Sequence, residues 1–279
     1  MKGADHPEFD AALQDLTQRT VDAADAYRST GSRAAARCVI SLLAHAAADH
    51  ALAAYMATSD ETQEQNMALR AVAIAYLKVR NSGVVAQREG ALIGAWLEDI
   101  AGQERARMVS APCGQNTCVS RDHHGISIVM ANAAVAIARD DRRLFKWSLG
   151  QYKDAVRQID GRGMLRYDTQ GQNALRFNLV SAACLVQIAE FGAANQIDLY
   201  DEGHGLLHLL VNTVSRGLVD AGPYTAATGV QQRMPATIEP WEITWAAAYN
   251  RRFPDPVLTG LLQQAGARGS EMWGGDPAI

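Results

Sequence analysis

Two adjacent histidines stand in the tetrapeptide Asp122-His123-His124-Gly125. They follow the polar stretch from Ser110 to Asp122 and precede the apolar run from Ile126 to Ala138, so they fall where a buried helix starts and side chains can face a cleft. Imidazole exchanges protons near neutral pH, with an ordinary pKa of about 6.5, which suits a histidine pair to acid and base work. Helix capping and core hydrogen bonding are the plainer use of the same residues. Further along, Arg166, Tyr167, Gln170, Asn173, Arg176 and Phe177 bring positive charge, amide donors and a phenol into one loop and the helix after it. Trp241, Trp245 and Tyr249 recur every four residues, a spacing that makes either an aromatic wall for a sugar ring or a stripe of core.

Other chemistries find less support. His204 and His208 have the spacing of a metal pair on a helix face, but no glutamate lies between them, and packing is the expected role. The cysteines, Cys38, Cys113, Cys118 and Cys184, show no zinc spacing, so neither metal nor cofactor is expected. Cys113 and Cys118 bracket CGQNTC, a loop that an oxidising compartment would close with a disulfide; two free thiols are the equal alternative. Asp168 is a candidate for a hydrolytic carboxylate pair that lacks a clear second member.

Helices must position these residues. Apolar positions recur at helical spacing over Phe9–Tyr27, Ala34–Met56, Met67–Val79 and Val84–Ile100. Ile126–Ala138 and Ala174–Ala189 are apolar on nearly every face, whereas Arg143–Ile159 carries one stripe. Leu206–Leu218 adds another, and Trp241–Tyr249 and Val257–Gln264 complete the set after a loop with Gly222, Pro223, Gly229 and Pro235. Buried helices alternating with half-buried ones predict an all-α protein of two concentric layers.

With 48% hydrophobic and 20% charged residues in 279, disorder is excluded, and only 6% aromatic residues among long alanine runs favour packed helices over a β-sandwich. The formal net charge of -4, with neither sign gathered into a block, gives no global attraction for nucleic acid, and none is expected as a partner. No run approaches the roughly 18 apolar residues of a membrane span, so no membrane insertion is expected. Met1 to Asp10 lacks the regions of a signal peptide. The expected location is the periplasm or the exterior, as a mature form without its leader, with the cytosol as the alternative.

The DHHG segment, followed twenty residues on by RRLFKW (Arg142 to Trp147), resembles the family 5 polysaccharide lyases, the alginate lyases, in which NNHSYW precedes a motif of the LFDW type. AYLKV at Ala75–Val79, WLEDIAGQ at Trp96–Gln103, NALRFNLVSAACLVQIAE at Asn173–Glu190 and PWEITWAAAY at Pro240–Tyr249 are similar to further family segments, in the same order. The resemblance implies an (α/α) toroid, an incomplete barrel of antiparallel helix hairpins formed by residues 1–279 as one domain. It implies a monomer acting on an anionic or mixed polysaccharide, by β-elimination at a uronate residue.

In that reading His124 falls on the catalytic histidine and His123 on the family's asparagine. A uronate lyase must remove the weakly acidic C5 proton and expel the C4 oxygen, so it needs a base, an acid and donors for the charge that gathers on the carboxylate. The family's catalytic tyrosine becomes Phe177, which has no proton to give; Tyr167, ten residues earlier, is the candidate replacement. Gln170, Gly171, Gln172 and Asn173 stand where the family has an arginine-rich run, and Asn66 and Met67 where it has a lysine and a tryptophan. The expected substrate is therefore not standard polymannuronate. Asp122, Arg166, Gln170, Asn173, Arg176, Phe177, Trp241 and Tyr249 are expected to touch it. A glycan-binding or exopolysaccharide assembly protein without catalysis is the alternative.

Overall fold

A computed structural model of the chain describes residues 7–52, 59–115, 117–234, 237–266 and 268–277. The first helices are α1 (Pro7–Thr30), α2 (Arg33–Ala48), α3 (Ser59–Val79), α4 (Gln87–Ser110), α5 (His123–Ala138) and α6 (Arg142–Val156). There follow α7 (Ala174–Ala194), α8 (Leu206–Val219), α9 (Gly222–Thr228), α10 (Pro240–Ile243), α11 (Ala246–Arg252) and α12 (Pro256–Ala265), with 3-10 turns at Gly171–Asn173 and Glu271–Trp273. No strand longer than an isolated bridge occurs among the described residues. Helices α3, α5 and α7 pack side by side as an inner row, and α2, α4, α6 and α8 lie against it. These are the two layers of an (α/α) toroid, as the periodicity and the resemblance implied.

The sequence of α5 explains its central place. Ala131, Ala134, Val135 and Ala138 face a core shared with α1 to α4. Ile126, Val129, Met130 and Ala133 face a second core that reaches from α6 to α12. A helix buried on both sides must be apolar all round, and its alanines let neighbouring backbones approach. Asp122, Asp141 and Asp255 cap α5, α6 and α12 by accepting backbone N–H groups, each worth about 0.5–2 kcal/mol.

The structure corrects several expectations. Gly171–Ala194 is long and apolar enough by composition to cross a bilayer, contrary to the expectation that no run comes close; in the fold 61% of its most apolar window is buried inside the toroid. Helix α4 continues ten residues past Ile100 because its polar residues have partners: Arg105 bonds Glu98 and Asn132, and Arg107 bonds Glu104 and Gln65. The helix expected through Met56 ends at Ala48, and Met56 lies outside the described residues. Gly222 and Pro223 open α9 instead of a loop, since proline in a first helical turn loses no hydrogen bond within the helix. Finally, Trp241–Tyr249 is not one helix. A turn at Thr244 and Trp245 separates α10 from α11, and Trp245 is buried with its indole donating to the Glu242 carbonyl. The aromatic wall is thereby divided.

Candidate active site

Asp122 starts the site. Its Oδ1 accepts from the backbone N–H groups of His124 (2.9 Å) and Gly125 (3.4 Å), which fixes the first turn of α5 and the direction of both imidazoles. Gly125 is required there for space: a Cβ would stand 2.4 Å from the Val119 carbonyl oxygen, so only glycine lets the preceding loop lie against the helix. That loop is closed by a bond between Cys113 and Cys118. With Cys38 and Cys184 free, titration of denatured, unreduced protein is expected to find two thiols, rising to four after reduction.

His123 is held from the far side. Asp168 Oδ1 accepts from the His123 backbone N–H at 2.8 Å and lies 2.9 Å from Nδ1, while Oδ2 accepts from Ser181 Oγ at 2.6 Å. Asp168 is fully buried. With its Nδ1 proton directed at a carboxylate, the His123 ring keeps Nε2 for exchange with a ligand. The loop bearing Asp168 is stapled to α7 by Asn178, whose Oδ1 accepts from Leu165 N and whose amide donates to the Ala174 carbonyl. Asp168 therefore positions a histidine. It does not face a groove as half of a hydrolytic pair.

The rings stack in order. Phe177 lies parallel to His123, with centroids 4.1 Å apart and planes 7° apart, and His124 is 4.0 Å away on a 39° tilt. His124 Nδ1 is 3.4 Å from Asp122 Oδ1. The side chain of His124 is 32% exposed and that of His123 12%, so His124 is the more accessible to a ligand. Asp122, His123 and His124 offer ligand atoms within 4.8 Å of one another, a grouping that suits a cation by geometry. Asp122 is committed to the helix start, whose dipole opposes a cation, so the arrangement favours proton transfer.

Of the other expected residues, Tyr167 directly precedes Asp168, and Gln170 Nε2 reaches the Tyr167 carbonyl at 3.5 Å. Arg166 donates to the Gln115 carbonyl in the disulfide loop and stands over the Tyr167 ring. Asn173 sits half-buried before the first turn of α7. Arg176 is exposed, its guanidinium 5.0 Å from the centre of the Trp241 ring. Tyr249 is a correction: it packs instead in an aromatic cluster with Tyr200, His208 and Phe253, its hydroxyl 2.6 Å from His208 Nδ1.

His204 and His208 do not share a helix face. His204 lies before α8 at a φ of 59°, and His208 is the ring bound by Tyr249. Burial pulls His208 below its ordinary pKa, against Asp198 and Asp201, which act the other way. The unfolded chain then binds more protons in the window just below about 6.5, so this stability is present above that pH and is lost as pH falls through the folded value. Melting temperature should fall between about pH 7.5 and 5, and His208→Gln should flatten part of that slope.

One buried cation went unremarked in the sequence. Arg70 is fully buried, and its Nη1 donates to Ser127 Oγ at 3.0 Å, one turn beyond the histidines. Its Nε donates to the Met272 carbonyl at 2.7 Å, and its guanidinium lies 4.1 Å from the centre of the Trp273 ring. Burial pulls its pKa down. The signal was a lone arginine within the apolar run MALRAVAIAY. Asn66, expected near the groove, is buried beside Ser127.

The fold matches a histidine-to-alanine variant of alginate lyase A1-III complexed with tetrasaccharide, at a TM-score of 0.84 and 19% identity, over 99% of this chain and 80% of that one. A tyrosine-to-phenylalanine variant of the same lyase, also complexed with tetrasaccharide, matches at a TM-score of 0.80 and 20% identity, over 94% and 75%. The alginate lyase of Cobetia marina is 28% identical over 183 residues, which are 64% of this chain and 48% of that protein, so the match spans about half of the relative's length. The family model described as alginate lyase matches residues 2–224. That span includes the capped histidines, the disulfide loop and the Asp168 staple, and it is most of the chain: the protein belongs to the alginate lyase family.

Proposed function

We propose that this chain cleaves a uronate-containing polysaccharide by β-elimination, with His124 as the base that removes the C5 proton. The observation that carries the reading is the His123–His124 pair, one ring fixed by buried Asp168 and the other more open at a capped helix start. His123, when protonated on both nitrogens with its Nδ1–H held by Asp168, would donate from Nε2 to the charge that gathers on the substrate carboxylate. Phe177 has no hydroxyl, so the proton for the departing C4 oxygen is assigned to Tyr167, next to Asp168 in sequence. The tetrasaccharide complex of a tyrosine-to-phenylalanine variant of alginate lyase A1-III is consistent with a phenylalanine that still permits glycan binding.

The substrate differs from polymannuronate in this reading, because Gln170 and Asn173 bring amides where a polyanion would favour cations. A periplasmic or secreted location is supported by the bond between Cys113 and Cys118, which an oxidising compartment maintains. The test is to incubate the protein with a panel of uronate polymers and follow the ultraviolet absorbance of the unsaturated product. A rise with any member supports the lyase. Binding without a rise favours the second reading, a glycan-binding protein, to which the stacked Phe177 points.

A further inference from the structure

One face of α7 is tied to the start of α5 at Phe177, Ser181 and Cys184. Phe177 and Ser181 lie one turn apart on that helix. Ser181 Oγ holds Asp168, and Asp168 holds the Nδ1 edge of His123 at 2.9 Å. Three residues further on, Cys184 Sγ accepts from Arg70 Nη1 at 3.7 Å, the same Nη1 that donates to Ser127 Oγ. The two helices are thus locked at His123 and again one turn along. A hydrogen bond at Nδ1 fixes one edge of an imidazole and leaves the ring free to tilt about that edge. Phe177 stops the tilt: its ring lies 4.1 Å from the His123 centroid with 7° between the planes, closer than the ~4.5–7 Å usual for ring pairs. His124 meets His123 at 39°, so the two imidazoles stand in different planes.

We propose that Phe177 is a positioning residue, whose flat ring sets the plane of His123 and with it the direction in which Nε2 meets a ligand. It acts through His123 and supplies no proton. The ring face pressed on the imidazole is closed to a sugar, and the side chain is half-buried, so holding His123 is what this phenylalanine does best. The inference rests on the lyase reading for its effect on turnover, and on the ring geometry alone for its effect on His123.

The test pairs nitrogen-resolved proton NMR of the intact protein with steady-state rates on the cleaved polymer. Wild type should show a slowly exchanging proton on His123 Nδ1, assigned by its loss in His123→Gln, and Phe177→Tyr, which keeps the flat ring, should retain it. Phe177→Leu keeps apolar bulk without a flat face. It should broaden that resonance through solvent exchange and lower kcat about three- to tenfold, the range an aromatic pair contributes, with KM little changed. If leucine unfolds the protein, Phe177→Met, whose side chain adapts to gaps, takes its place. A folded leucine or methionine variant that keeps either the wild-type resonance or the wild-type kcat overturns the inference, as does a wild type without the resonance. The lyase reading is judged separately. A resonance lost in Phe177→Leu with no product from any uronate polymer sinks the lyase and leaves the ring's hold on His123; product at an unchanged kcat with an unchanged resonance does the reverse.

Discussion

His124→Ala should lower turnover on the cleaved uronate polymer at least about a hundredfold, the lower end of what a positioned base contributes. The fold should survive, because His124 is half-exposed and the cap on α5 is made by its backbone N–H, which alanine retains. A base acts on the bond-breaking step, so kcat should carry the loss with KM little changed. Steady-state rates beside a thermal melt check both points. A variant within threefold of wild type would remove His124 from the chemistry and leave His123 as the base.

Asp168→Asn is expected to be nearly as damaging, about a hundredfold, although Asp168 is sealed from solvent and touches no substrate. Asparagine keeps the shape but is neutral, so the ring loses the carboxylate that pairs with its doubly protonated form, the form that can donate from Nε2. A merely structural role would lower the melting temperature and leave the pH profile alone. A positioning role should also displace the profile and change the His123 protonation state read by nitrogen NMR, and an unaltered protonation state in a folded variant would refute it.

The inner helices were readable because burial on every side demands apolar residues on every side, as α5 and α7 show. The histidine pair was readable because its neighbours in sequence, Asp122 and Gly125, are also its neighbours in space. Asp168 was legible as a residue and misread as a role: its partners, His123 and Ser181, are 45 and 13 positions away, and no local pattern distinguishes a buried loop carboxylate from a solvated one. The extension of α4 was hidden for a related reason, since Arg105 and Arg107 look like surface charge until Asn132 and Gln65 are brought beside them. In Trp241 to Tyr249 the period was real and the unbroken helix was not: Thr244 and Trp245 keep helical dihedrals, but the hydrogen bonding tightens there, with Ala247 N donating to the Thr244 carbonyl.

The clasp on Arg70 gives the protein an order of completion. The guanidinium is synthesised 202 residues before the Met272 carbonyl that receives its Nε proton, and earlier still than the Trp273 ring that covers it. Because the chain is made from its N-terminus, the Arg70 charge is synthesised before the groups that cover it, and its burial waits on the last described turn. The floor beneath Ser127 closes only when that turn docks.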